Sequence, residues 1–236
     1  INKYIYVTVK QHSTLYNEKY RLNYSITEKT KKISNIKNDI IRSSLKYLKI
    51  DEPIMISTYS DLPANSGLGS SSSFCVGLLN ALHNYMGESI SAGQLAEEAC
   101  EIEIDILKNS IGKQDQYVAA FGGINRFIFN KDGKVLIEPI NLKFNEINNL
   151  FNNSVLVWTE VQRSASKILK KQNKNTSKNT PNLKKLLNNC NKFTNIIASE
   201  NSDKFLYKAG KLLEDSWADK KLLNNDSSKE EILNLI

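Results

Sequence analysis

Two hydrophobic periods alternate along the first half of the chain. Tyr4 to Val9 (Y-I-Y-V-T-V) is β-rich, and Tyr20, Leu22, Tyr24 and Ile26 alternate with polar residues, the period of a strand with one buried face. Together they predict strands of an antiparallel sheet. Ile33, Ile36, Ile40, Tyr47 and Leu48 fit one face of a helix ending near Ile50. Ile54, Ile56 and Thr58 then alternate with Met55, Ser57 and Tyr59, a strand that runs into the glycine- and serine-rich stretch Asp61–Ser73.

The segment from Ser71 to Met86 is apolar around most of its circumference and stops at Gly87, so it predicts a core helix with a left-handed C-terminal cap. Ser91 or Gly93 opens a further helix, which continues to about Lys108. A loop from Ile111 leads through a short apolar segment to Gly122-Gly123. The strands Ile124–Phe129 and Val135–Ile140 follow, joined by the hairpin signal Asn130-Lys131-Asp132-Gly133. The polar, asparagine-rich run from Asn141 to Asn153 is the candidate domain boundary. Beyond it the pattern predicts a strand over Ser154–Thr159 and a helix entered at Gln162-Arg163-Ser164-Ala165. Helices are also predicted over Leu183–Ser199, over Lys204–Leu213 and near Glu230.

Composition narrows the class. With 236 residues, 40% hydrophobic and 24% charged, the chain can bury a real core as one large domain or two small ones. Three widely spaced cysteines with only His12 and His83 beside them offer no zinc cluster and imply free thiols in a reducing compartment. No apolar run approaches the ~18 residues of a membrane span and no signal peptide is visible, so a cytoplasmic protein is expected. The net charge of +7 lies largely in Lys167–Lys192, where no aromatic residue interleaves. A solvated helix face is the reading, and no nucleic-acid partner is expected. The chain opens at Ile1 inside a strand pattern and closes in E-E-I-L-N-L-I without a helix stop, which suggests part of a longer protein.

Three features carry candidate chemistry. The first is Asp61–Asn80, D-L-P-A-N-S-G-L-G-S-S-S-S-F-C-V-G-L-L-N. A glycine- and serine-rich turn at a helix N-terminus presents free N–H groups and the positive end of the helix dipole, a seat for phosphate. The alternative is an ordinary turn with serine caps. The second is Glu103, whose helical neighbours Ala96, Ala99, Cys100 and Leu107 are apolar. A carboxylate aimed at a core demands a partner or a cation; the alternative is a rotated helix with Glu103 at its rim. The third is Asp115, in Gly112-Lys113-Gln114-Asp115-Gln116, which could instead cap a helix. A phosphate cradle, an oxygen ligand for Mg²⁺ and a carboxylate near an accepting hydroxyl are the parts of phosphoryl transfer. The turn lacks the lysine of a P-loop.

Pro63-Ala64-Asn65-Ser66-Gly67-Leu68-Gly69-Ser70-Ser71-Ser72-Ser73 resembles the P-x-x-x-G-L-G-S-S motif of the GHMP kinases. Glu103 with the Gly112–Gln116 segment resembles that family's metal-binding glutamate and catalytic aspartate. The resemblance implies an α+β, two-domain GHMP kinase fold. Residues 1–145 would form the ATP-binding N-terminal domain, like the second domain of ribosomal protein S5, with its first strands missing. Residues 146–236 would begin a truncated, mostly helical C-terminal domain. It implies ATP held by Pro63, Gly67, Leu68, Gly69, Ser70, Ser71 and Ser72, and Mg²⁺ held by Ser71 and Glu103. Asp115 would orient or deprotonate the accepting hydroxyl, with Gln116 and Arg163 at the substrate; Arg163 is equally a surface arginine at a helix start.

Y-S-D-L-P around Asp61, Phe121-Gly122-Gly123 and Thr159 with Gln162–Ala165 are similar to the bacterial sugar kinases acting on D-glycero-D-manno-heptose 7-phosphate. Fucose and galactose are alternative acceptors, and a non-catalytic S5-like module binding RNA or a small ligand is the alternative class. The family's N-terminal P-x-R and C-terminal glycine-rich motifs have no match in this sequence.

Overall fold

The computed structural model describes residues 3–64, 66–157, 176–199 and 202–223. These form two compact units, one from the described residues up to Phe127 and one from those beyond it. The fold is α+β.

In the first unit a four-stranded sheet is built from β1 (Ile5–Gln11), β2 (Tyr20–Asn23), β3 (Thr27–Thr30) and β4 (Ile54–Ser60), in the order β1-β4-β2-β3. The sheet is mixed, not antiparallel throughout: β1 lies antiparallel and β2 parallel to β4. The central place goes to β4, whose Ile54 and Ile56 are fully buried. The chain reaches β4 from β3 through a helix, the kind of crossover that lets β2 and β4 run parallel.

The alternation over Tyr20–Ile26 is not one strand. Tyr24 N–H turns back to the Ile26 carbonyl at 2.9 Å, and β2 and β3 form a hairpin. The helix expected from Ile33 also starts later, as α1 (Asp39–Tyr47). Buried Glu28 explains the delay: it accepts from the N–H groups of Lys37 (2.7 Å) and Asn38 (3.1 Å), which holds that segment out of the helix. Asn38 then caps α1 by accepting from Ile41 N–H at 3.0 Å.

Helix α2 (Ser70–Tyr85) lies between two apolar clusters. One side meets Leu22, Ile41, Leu45, Ile54 and Ile56; the other meets Leu95, Ala99 and Ile102. An all-round apolar helix is what such a position requires. Gly87 ends it at φ +79°, with Glu88 N–H on the His83 carbonyl (2.9 Å) and Gly87 N–H on that of Asn84 (3.1 Å), the paired bonds of a Schellman cap. Helix α3 (Ala92–Cys100), capped by Ser91, runs directly into a wide π-helical turn at Glu101–Ile106. Helix α4 (Gln114–Phe121) completes the unit and packs on both α2 and α3.

Two further strands, β5 (Asn125–Phe129) and β6 (Val135–Pro139), form a hairpin with Gly133 at φ +86°. The Asn141–Asn153 run, the candidate domain boundary, contains helix α5 (Phe144–Asn152), started by Glu146 accepting from Lys143 N–H at 2.6 Å. No strand forms over residues 154–157, where Val155 is 87% exposed; Thr159, Arg163 and Glu230 lie outside the described residues. Helices α6 (Thr176–Ser199) and α7 (Ser202–Leu223) pack together, with buried Asn189 donating to Ser216 Oγ at 3.2 Å. Pro181 falls inside α6, so this helix begins before the proline instead of at it. Among the described residues no helix is long and apolar enough to cross a membrane.

His83, 4% exposed near the end of α2, meets Glu88 Oε2 through Nδ1 (2.7 Å) and Glu98 Oε2 through Nε2 (2.8 Å). Both ring nitrogens need protons to satisfy both carboxylates. Burial lowers its pKa, but the two carboxylates outweigh burial and raise it above the ordinary imidazole value. A raised folded pKa gives stability that is complete below the unfolded value of about 6.5 and lost as pH climbs through the folded one. Wild type should therefore exceed Glu98→Gln most at pH 6, and the gap should close toward pH 9. Urea midpoints of the two proteins across that range check it.

Candidate active site

The turn before α2 is made by two glycines in the left-handed region, Gly67 at φ +77° and Gly69 at φ +72°. Gly69 is the N-cap of α2, and no side chain caps the helix. The serines do not serve as caps, so the first-turn N–H groups of this sixteen-residue helix keep their positive end undiminished. Ser71 and Leu68 are exposed and Ser72 is buried.

Glu103 is 0% exposed, inside the fold as its apolar neighbours predict. The π-helical turn carries it, a wide turn of the kind that often marks functional sites. Ser71 Oγ donates to Glu103 Oε1 at 2.8 Å, and Gln116 Nε2 donates to Oε2 at 2.7 Å. One carboxylate thus joins the α2 N-terminus, the end of α3 and the first turn of α4.

Asp115 is the second residue of α4 and exposed; Lys113 is the N-cap, so capping is not its role. It stands close to the glycine turn. A Cβ added at Gly69 would lie 3.2 Å from Asp115 Cγ and 3.3 Å from Oδ2. A side chain at position 69 would meet both a left-handed backbone and a close Asp115, so glycine fits there with least strain. Beside the turn a cavity of about 460 Å³ runs along α2, lined among others by Lys3, Leu68, Ser70, Ser73, Asn80 and Val118. That is the size and mixed polarity of a small-ligand pocket, typically ~300–1,000 Å³.

Behind Asp115, Tyr117 donates its hydroxyl to Glu97, which also faces Lys113 Nζ at 3.5 Å. Burial first, then this glutamate, raises the Tyr117 phenol. Burial pushes the Cys100 thiol up to about 12 and raises that of Cys75 well above the ordinary thiol value, which removes both as nucleophiles near the site.

The donor set suits Mg²⁺. Ser71 Oγ at the start of α2 and Glu103 Oε1 on the π-helical turn are hard oxygens 2.8 Å apart, and Mg²⁺ takes only one or two protein carboxylates with substrate phosphates and water. Among the described residues there is no group of three His, Cys, Asp or Glu that could hold a metal without such phosphates.

The sequence places Gln116 among substrate contacts; in the fold it is 0% exposed with its amide on Glu103. Part of the signal for that bond was available, since a buried carboxylate must find donors and Gln116 is a polar residue beside the apolar run Tyr117–Phe121. Arg163 lies outside the described residues.

Residues 34–123 match the model of the GHMP kinases N terminal domain. The match spans α1, β4, the glycine turn, α2, α3 and α4, every element that builds the site. This stretch is similar to the GHMP kinases N terminal domain. The D-glycero-alpha-D-manno-heptose 7-phosphate kinase of Campylobacter jejuni is 37% identical over 111 residues, covering 47% of this chain and 33% of that protein. The galactokinase of Thermotoga maritima is 27% identical over 154 residues, covering 63% of this chain and 44% of that one. A solved D-glycero-D-manno-heptose 1-phosphate kinase from Bacteriodes thetaiotaomicron superposes with a TM-score of 0.57 at 29% identity, over 64% of this chain and 52% of the other. The chain therefore spans about half or less of the length of these relatives.

Within this stretch the two glycines of the turn differ in one respect. At Gly67 an added Cβ meets nothing within 4 Å, whereas at Gly69 it meets Asp115. Alanine at either position should cost about 1–2 kcal/mol for the left-handed backbone. Gly69→Ala should cost more, because Asp115 must also move. Urea unfolding of both variants measures the difference; equal losses would show that Asp115 is not held against the turn.

Proposed function

We propose that the protein transfers the γ-phosphate of ATP to a hydroxyl of a sugar or sugar phosphate. The observation that carries this reading is the exposed Asp115 carboxylate set against Gly69 of the uncapped turn, with Glu103 bonded to Ser71 in the first turn of the helix that follows. The turn's N–H groups, from Gly67 to Ser72 after Pro63, bind the nucleotide phosphates. Ser71 and Glu103 hold Mg²⁺, which, when bound, offsets the charge of the transferring phosphoryl group. Asp115 aligns the accepting hydroxyl and takes up its proton as the oxygen bonds to phosphorus and ADP leaves. Residues 1–145 serve as the ATP-binding domain and 146–236 as the start of the C-terminal domain. The reaction belongs to the cytoplasm, where ATP is available.

The acceptor we favour is D-glycero-D-manno-heptose 7-phosphate. The heptose kinase of Campylobacter jejuni is the more identical of the two sequence relatives described above, and Lys3 at the cavity rim offers a cation for a second phosphate. The galactokinase match keeps galactose, with fucose, as the rival acceptors.

The test is ADP release from ATP and Mg²⁺ with heptose 7-phosphate, heptose 1-phosphate, galactose and fucose. Heptose 7-phosphate should give the highest kcat/KM. Asp115→Asn should lower kcat about 10²–10⁴-fold while leaving ATP binding intact. Turnover of none of the four sugars would contradict the acceptor class, and an active Asp115→Asn protein would contradict the mechanism.

A further inference from the structure

Gln116 has an amide whose two ends have different fates. Nε2 donates to Glu103 Oε2 at 2.7 Å, while Oε1 is buried and has no hydrogen-bond partner among the described residues. The reverse amide orientation would set two acceptors against each other, so the chemistry fixes which end faces Glu103. A fully buried amide with an orphaned oxygen is a poor way to fill an interior, because an apolar side chain of that size would fill it without stranding a polar atom. What the amide supplies is the donor on Glu103.

The residue type matters. A lysine or arginine there would neutralise Glu103 and compete with a cation for it. A second carboxyl would oppose it at 2.7 Å. An aliphatic residue would leave Oε2 without a donor inside the fold. A neutral amide orients the carboxylate and leaves its charge available. Glu103 is buried throughout, but its Oε1 is bonded to Ser71, an exposed residue at the start of α2, and its Oε2 to buried Gln116, so Oε1 is the oxygen toward the glycine turn and Oε2 the one held from within.

We infer that Gln116 is a positioning residue for the metal-binding carboxylate: it holds Glu103 by Oε2 so that Oε1 faces a divalent cation shared with the nucleotide phosphates. The inference rests on the proposed kinase reading and adds to it that the residue after Asp115 serves the metal and not the sugar.

The experiment measures Mn²⁺ affinity by electron paramagnetic resonance in the presence of saturating ADP, and metal-free ADP affinity by calorimetry, for wild type, Gln116→Met and Gln116→Asn. Both variants should bind Mn²⁺ about 10–100-fold more weakly, the usual cost of removing a residue that orients a metal ligand. Metal-free ADP affinity should stay at the wild-type level, which a general loss of structure would not allow. Unchanged Mn²⁺ affinity in a folded variant overturns the inference. A wild-type crystal structure with Mn²⁺ and ADP decides the matter if neither variant folds. Gln116 Nε2 on Glu103 Oε2 with Oε1 at the metal supports the inference; Gln116 swung away from Glu103, or ligating the metal itself, overturns it. Wild type that binds neither Mn²⁺ nor ADP would instead remove the kinase reading, so the two failures are separable.

Discussion

One buried carboxylate holds the site together. Glu103 has no exposure to water, and its two oxygens are met by a serine from the start of α2 and an amide from the start of α4. Burying such a group is expensive unless each acceptor is satisfied. The fold therefore has to bring those two helix N-termini to the same place, at the end of α3. Once they are there, the glycine turn and Asp115 face each other without further contrivance: Ser71 follows Gly69 by two residues and Gln116 follows Asp115 by one.

The surrounding structure serves this convergence. Helix α2 is rigid because it is packed on both sides, against the sheet and against α3. The π-helical turn widens the end of α3 at the point where Glu103 must reach inward. The His83 clamp joins the far end of α2 to α3 through Glu98 and to the following loop through Glu88, so the two helices that carry Ser71 and Glu103 are tied at both ends. Glycine at position 69 then leaves room for Asp115. These are packing requirements, and the chemistry draws on what they leave exposed: uncapped N–H groups, one exposed serine and one exposed aspartate.

Much of this was legible in the sequence. The apolar neighbours of Glu103 at helical spacing gave its inward direction, and the Gly-Leu-Gly-Ser run gave the turn. The π-helical turn was not legible, because an i+5 bond leaves nearly the same local pattern of apolar residues as an i+4 bond. The sheet was expected to be antiparallel, but alternation reports a buried face and not a neighbour's direction: β4 lies between β1 and β2, antiparallel to the first and parallel to the second. Helix α5 was hidden by its asparagines, since the capping interaction of Glu146 with Lys143 N–H outweighs a low local propensity. Gln116 was assigned by its place in a motif, whereas its burial and its bond to Glu103 depend on where α4 packs.

The central claim is that Glu103 binds a divalent cation together with nucleotide phosphates. Calorimetric titration of a non-hydrolysable ATP analogue, with and without Mg²⁺, into wild type and Glu103→Gln tests it most directly. Wild-type affinity should rise with Mg²⁺, and Glu103→Gln should bind the analogue equally with and without the metal. A Glu103→Gln protein that keeps the full Mg²⁺-dependent gain would contradict the account.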